Sequence, residues 1–142
     1  MKKYVFSLFL TALLTFWACS NNDEYNEVPS PILTFITQYW PNPVIAEYNQ
    51  TSSNEYIVQI KDGPGFEFNE EYIWIKVDGN GLPLPQVFLY DQLPNVLYEY
   101  LESGSYLNEV IIIEKSDGVY SLELVDCKIA YDTVTEKIVQ TY

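Results

Sequence analysis

From residue 55 onward the chain is written in short blocks of alternating apolar and polar residues, each closed by turn-forming residues. That pattern leaves little choice of architecture. In the block 55–61, Tyr56, Val58 and Ile60 share one side, and Ile57 and Gln59 the other. Asp62-Gly63-Pro64-Gly65 closes it, and Phe66 and Phe68 then alternate with Glu67 and Asn69. The block 72–77 sets Ile73, Ile75 and Val77 against Tyr72, Trp74 and Lys76. Successive side chains of a strand point to opposite faces, so these blocks predict antiparallel strands with one covered face. A further strand is expected at 44–48.

The second half is built alike. A strand at 108–115 holds Val110, Ile111, Ile112 and Ile113, and Ser116-Asp117-Gly118 is a hairpin turn. Residues 119–125 alternate, with Tyr120, Leu122 and Leu124 on one side; strands at 128–131 and 136–141 flank Asp132-Thr133-Val134-Thr135. Asp78-Gly79-Asn80-Gly81 lacks the rest of a calcium-loop pattern and reads as a plain turn. Helical spacing appears twice. Ile32, Phe35, Ile36 and Tyr39 form a stripe behind Ser30, a candidate cap, and Pro31, which fits a first helical turn. Leu93-Pro94-Asn95 opens a second stripe of Val96, Leu97, Tyr100 and Leu101, ended by Gly104. Pro83 and Pro85 lead into a short helical turn at 86–90.

The two halves correspond at a steady offset. Val28-Pro29 before Ile32, Phe35 and Ile36 matches Leu93-Pro94 before Leu97, Tyr100 and Leu101. Tyr56, Val58 and Ile60 match Tyr120, Leu122 and Leu124, and Phe66 and Phe68 match Ile129 and Tyr131. A constant shift across separate blocks marks an internal repeat, at about 28–78 and 84–142.

Ahead of this lies a leader. Met1-Lys2-Lys3 precedes an apolar run that ends at Phe16-Trp17-Ala18-Cys19, too short for a comfortable membrane span. A small residue before a cysteine there resembles the bacterial lipobox, which implies cleavage after residue 18 and lipid on Cys19. Phe16 and Trp17 depart from the usual pattern, and an ordinary cleaved leader with an incidental cysteine is the alternative. Residues 19–27 read as an acidic tether. Their acidity resembles the surface-export signal of Bacteroides-group lipoproteins; a plain solvated linker explains it equally. The expected address is the cell envelope, lipid-anchored at the outer membrane, with surface exposure as one outcome.

Losing Lys2 and Lys3 leaves 5 basic against 20 acidic residues, a charge of −15, with neither arginine nor histidine. Such a chain repels phosphates, so no nucleic acid is expected; the charge equally argues against docking on anionic lipid headgroups, and the membrane is expected to be reached through the lipid anchor only. Without histidine the common zinc sites and cysteine–base pairs fail. No glycine-rich phosphate loop occurs, and neighbouring carboxylates such as Glu70 and Glu71 arise by chance among so many acids. No cofactor, metal or enzymatic activity is expected. Cys127, alone once Cys19 is lipidated, reads as a buried inert thiol.

The order Leu/Val-Pro, helix, four strands, with Tyr56-x-Val58-x-Ile60 and Tyr120-x-Leu122-x-Leu124 as recurring cores, resembles the PepSY-like, beta-lactamase-inhibitor-like domains of secreted Bacteroides-group proteins. The resemblance spans residues 28–142. Repeat two departs from it, with Asp126-Cys127 where a glycine turn is usual. It implies an α+β fold: a tandem repeat of one helix and four antiparallel strands, helices on one face of the sheet and the other face open. It also implies that the open face binds a protein, which in the best-known relatives inhibits an enzyme; beta-lactamase itself is not carried over. Alternation places Ile57, Gln59, Glu67, Tyr72, Trp74, Lys76 and Glu123 on that face. Tyr72 and Trp74 read either as interface anchors or as cross-strand pairs that stabilise the sheet. A lipid-anchored binder or inhibitor of an unidentified protein is thus expected, the alternative being an accessory glycan- or peptide-binding lipoprotein whose aromatics stack on sugar rings.

Overall fold

The computed structural model describes residues 27–142. The leader and the predicted lipidation site Cys19 lie outside the described residues. The fold is α+β: three helices and an eight-stranded antiparallel sheet among the described residues. In chain order these are α1 (Ser30–Tyr39), β1 (Ile45–Gln50), β2 (Tyr56–Ile60), β3 (Gly65–Phe68), β4 (Trp74–Asp78), α2 (Gln86–Gln92), α3 (Asn95–Ser103), β5 (Val110–Ser116), β6 (Val119–Leu124), β7 (Lys128–Asp132) and β8 (Lys137–Thr141). The strands pair in sequence order, so the sheet is a meander with β1 and β8 at its two edges.

Each helix starts behind a proline: Pro29, Pro85 and Pro94 hold the N-cap position, and no side chain caps any of the three. Ser30, expected to cap α1, is its first residue instead. The stripes behave as spaced. Ile32, Ile36 and Tyr39 of α1 and Leu97 and Leu101 of α3 are buried, and Gly104 ends α3. Val96, expected in the α3 stripe, is exposed. The short turn expected at 86–90 extends into the full helix α2, which buries Phe88 and Leu89.

The helices bury against one face of the sheet. Phe35 of α1 meets Phe66 and Phe68 edge-on, with ring centroids 6.5 and 5.6 Å apart, and Phe88 of α2 lies 5.5 Å from the Trp74 ring. Val58, Val77, Val110, Ile113, Leu122 and Ile129 complete this single core. Burying one such aliphatic or aromatic side chain contributes roughly 1.5–3 kcal/mol.

Local chemistry shapes the turns. Asp117 and Gly118, at φ 51° and 77°, sit between the paired Ser116 and Val119, the left-handed turn that suits a two-residue hairpin. Asp132 Oδ1 accepts the N–H groups of Val134 and Thr135 at 2.8 and 3.1 Å, and these bonds hold its carboxyl below the ordinary range. Asp78 Oδ1 accepts the Asn80 N–H at 2.8 Å, so the loop after β4 is an Asx turn.

β4 and β5 are joined over three residue pairs, Lys76–Glu114, Val77–Ile113 and Asp78–Ile112. The join is lengthened by Gly79 N–H donating to the Ile111 carbonyl at 2.7 Å and Leu84 N–H to the Val110 carbonyl at 2.8 Å. Gly79 is needed there. A Cβ would collide with the Leu82 carbonyl oxygen and stand 3.0 Å from that of Ile111. Gly79→Ala is therefore expected to destabilise by about 1–3 kcal/mol, read as a lower urea midpoint at unchanged slope.

The register departs from strict alternation at three places. Between Ile45 and Glu47, between Trp74 and Lys76, and between Val110 and Ile112, one residue is inserted as a β-bulge (Ala46, Ile75 and Ile111). A bulge lets two successive residues escape the covered face before the chain turns inward again. In β4 the buried residues are consequently Trp74 and Val77, three apart rather than two.

Candidate interaction face

Following paired residues across the sheet gives the composition of the face without helices. One row runs Asn49, Ile57, Glu67, Lys76, Glu114, Ser121, Ala130, Val139. The next runs Glu47, Gln59, Gly65, Asp78, Ile112, Glu123, Lys128, Thr141. Five of the seven residues expected on this face are in these rows: Ile57, Gln59, Glu67, Lys76 and Glu123. Ile57 is 38% exposed. Gln59 uses its amide to tie two loops: its Nε2 donates to the carbonyls of Ile60 and Gly63 at 2.7 and 2.9 Å, and its Oε1 accepts from Asn80 Nδ2 at 3.3 Å. Lys76 faces Glu67 at 3.8 Å and Lys128 faces Glu123 at 2.9 Å, both pairs partly exposed.

Trp74 and Tyr72 are corrections. Trp74 is only 3% exposed and belongs to the helix-covered face. Its Nε1 donates to Gln92 Oε1 at 2.8 Å, Gln92 Nε2 donates to the Tyr39 hydroxyl at 2.7 Å, and Lys115 Nζ lies 3.8 Å above the indole ring. Burial pushes the Lys115 ammonium below its ordinary pKa. Tyr72 precedes β4 at φ 64°, and its ring lies 5.2 Å from Tyr56, a residue of the covered face. The neighbouring Tyr72 phenol, with desolvation adding to it, raises the Tyr56 phenol above its usual value. Ile73 and Ile75, expected under the helices, are not buried; Ile73 is 49% exposed. The bulge at Ile75 is the physical reason for the reversal of Trp74, since the inserted residue inverts the phase that alternation assigns; Tyr72 precedes β4 in a turn with left-handed backbone, where strand alternation does not apply.

The open rows therefore hold no aromatic residue. They hold aliphatic side chains (Ile57, Ile112, Val139) among charges and small residues. Sequence reasoning missed Ile112, Glu114, Ser121, Ala130 and Val139. Of these, Glu114, Ser121 and Val139 could have been placed by carrying the alternation of β6 across to its neighbours. Two hollows mark the face where side chains are small. One of about 150 Å3 lies over Gly65, and one of about 330 Å3 over Ser121 and Ala130. Cys127 is buried behind β8, where Gln140 Nε2 points to its sulfur at 3.4 Å.

No protein-family model matches the chain, and no curated protein sequence does. Solved structures do. A protein of Bacteroides vulgatus, described as periplasmic and of unknown function, superposes with TM-score 0.66 at 20% identity, covering 82% of this chain and 94% of that one. A second from the same organism, of the DUF2874 family, gives 0.66 at 20% with 82% and 92% covered. A third from Bacteroides thetaiotaomicron, described as a calcium-regulated periplasmic protein, gives 0.67 at 19% with 82% and 92% covered. The likeness is one of fold. The periplasmic description belongs to these neighbours. Among the described residues no helix is long and apolar enough to cross a membrane.

Proposed function

We propose that this chain is a non-enzymatic envelope protein, lipid-anchored through Cys19, that binds or inhibits a protein partner through its open sheet face. The observation that carries the reading is the one-sidedness of the sheet. Its helices bury one face, while the other presents aliphatic side chains between charges over eight strands. A continuous rigid surface of this kind suits protein docking, because little entropy is lost in ordering it.

The PepSY-like, beta-lactamase-inhibitor-like relationship and the tandem repeat belong to the same proposal. Register supports the repeat. Tyr56 pairs with Phe68 and Val58 with Phe66, as Tyr120 pairs with Tyr131 and Leu122 with Ile129. The bulges of β1 and β5 fall at Ile45/Glu47 and Val110/Ile112, 65 residues apart, the same offset as Pro29 and Pro94. The alternative, an accessory glycan- or peptide-binding lipoprotein, draws less support for a glycan, since Trp74 is buried and the open rows offer no ring on which a sugar could stack.

The test is a pull-down from envelope extract with wild type and an Ile57→Asp/Val139→Asp variant. The aspartates sit on the open face and leave the core intact. Loss of the partner band with an unchanged unfolding midpoint is expected; equal recovery defeats this face as the binding surface. In the same cells, Cys19→Ala is expected to move the protein from the membrane to the soluble fraction.

A further inference from the structure

We infer that the outer edge of β8 is a self-association surface, where two copies of this chain join β8 against β8, antiparallel, into one continuous sheet. The inference does not depend on what the open face binds. Among the described residues no strand lies outside β1 or β8. The last strand of an open sheet presents a row of backbone N–H and C=O groups, and proteins blunt such edges with bulges, prolines or charges. One of the two edges is blunted in this way. β1 carries the bulge at Ala46 with Glu47 directly after it, the carboxylate held by Asn49 Nδ2 at 2.8 Å. β8 is regular. It pairs with β7 over five consecutive residues, Lys137 to Thr141, with no shift of register. It contains neither proline nor acid, and its single charge, Lys137, stands at one end. Ile138, Val139 and Thr141 are β-branched, and Val139, at the middle, is 54% exposed.

The occupant is a second copy because the strand complements itself. With a two-fold axis through Val139, the valines of the two copies meet on the open side. Lys137 then stands opposite the second copy's Thr141, and Ile138 opposite its Gln140. The two ammonium groups fall at opposite ends, so no like charges meet. Elsewhere the chain sets 20 acidic against 7 basic residues, and two such copies approach most easily where acids are absent. Gln140 keeps its bonds to Tyr100 and Tyr106, since only backbone groups are recruited. The new ladder holds five pairs, as many as join β6 to β7 and more than the three that join β4 to β5. A two-fold joint closes after two copies and leaves the blunted β1 edges outermost.

The test introduces single cysteines into the full chain and oxidises whole cells, with non-reducing electrophoresis as the readout. The wild-type chain, whose Cys127 is buried, is the baseline. Val139→Cys is expected to move to twice the chain's mass. Directly opposite Cβ atoms of an antiparallel pair lie about 4.5–5.5 Å apart, within reach of a disulfide after a small adjustment. Val44→Cys, 56% exposed next to the β1 edge, and Val134→Cys, 86% exposed in the turn before β8, are expected to stay at single mass. Thr141→Cys should stay single by itself and double when co-expressed with Lys137→Cys, which fixes the register. All these side chains are exposed, so the changes leave the core intact. No doubled band from Val139→Cys would overturn the inference. So would an equal band from Val44→Cys, Val134→Cys or Thr141→Cys alone, or a band of another mass, meaning that a different protein's strand takes the edge. Ile57→Asp added to Val139→Cys is expected to leave the doubled band in place even where it abolishes partner capture, so this edge and the open face stand or fall separately.

Discussion

Trp74→Ala is expected to cost about 3–5 kcal/mol, the range for emptying a large aromatic site in a packed core. The indole sits between the sheet and α2, with Phe88 at 5.5 Å on one side and Tyr120 at 6.5 Å on another. Its removal also leaves Gln92 Oε1 without its donor, and Gln92 carries the bond to Tyr39. Domains of this size are stable by only about 5–15 kcal/mol, so the variant loses a large share of its stability. Chemical denaturation followed by tyrosine fluorescence or far-ultraviolet circular dichroism measures it. A loss below about 1 kcal/mol would mean that the indole lies on the open face after all. The consequence for binding experiments is direct: a Trp74 variant that fails to capture a partner reports unfolding rather than a lost contact.

The second large effect discriminates two adjacent, chemically identical residues. Ile113 is fully buried between Val77 and Leu122, whereas Ile112 pairs with Asp78 and Glu123 on the open face. Ile113→Lys puts an ammonium into the core and is expected to cost upward of about 4 kcal/mol, enough to leave little folded protein at 37 °C. Ile112→Lys places the same group between two carboxylates, with its stem lying along the sheet, and should stay within about 1 kcal/mol. Thermal unfolding of the pair decides it. Comparable losses would remove the bulge at Ile111 from the account.

That contrast also shows what the sequence could and could not reveal. In β2 and β6 the alternation is unbroken, and Tyr56, Val58, Ile60, Leu122 and Leu124 are covered as spacing demands. The turns were legible for a related reason: Asp117-Gly118 and Asn80-Gly81 take the left-handed backbone that their residue types favour. The bulges were not, because an inserted residue has no characteristic side chain. Ile75 and Ile111 look like any strand isoleucine, yet each resets the phase for its neighbours. The Trp74 indole is placed by an acceptor, Gln92, 18 residues away, and spacing along one strand carries no information about such a partner. Alternation thus places five of the seven expected residues in the open rows, while Trp74 lies under the helices and Tyr72 in the turn before β4.

The short overlap of β4 and β5 has a further consequence. Each half of the sheet is braced internally by longer ladders, such as the five pairs of β6 with β7, while the halves meet across three. The bonds from Gly79 to Ile111 and from Leu84 to Val110 carry the seam on past the last pair, and on its covered side Trp74 and Phe88 pack with ring centroids 5.5 Å apart. A guest laid on the bare side would thus rest on a junction whose stiffness is supplied from the side it never touches.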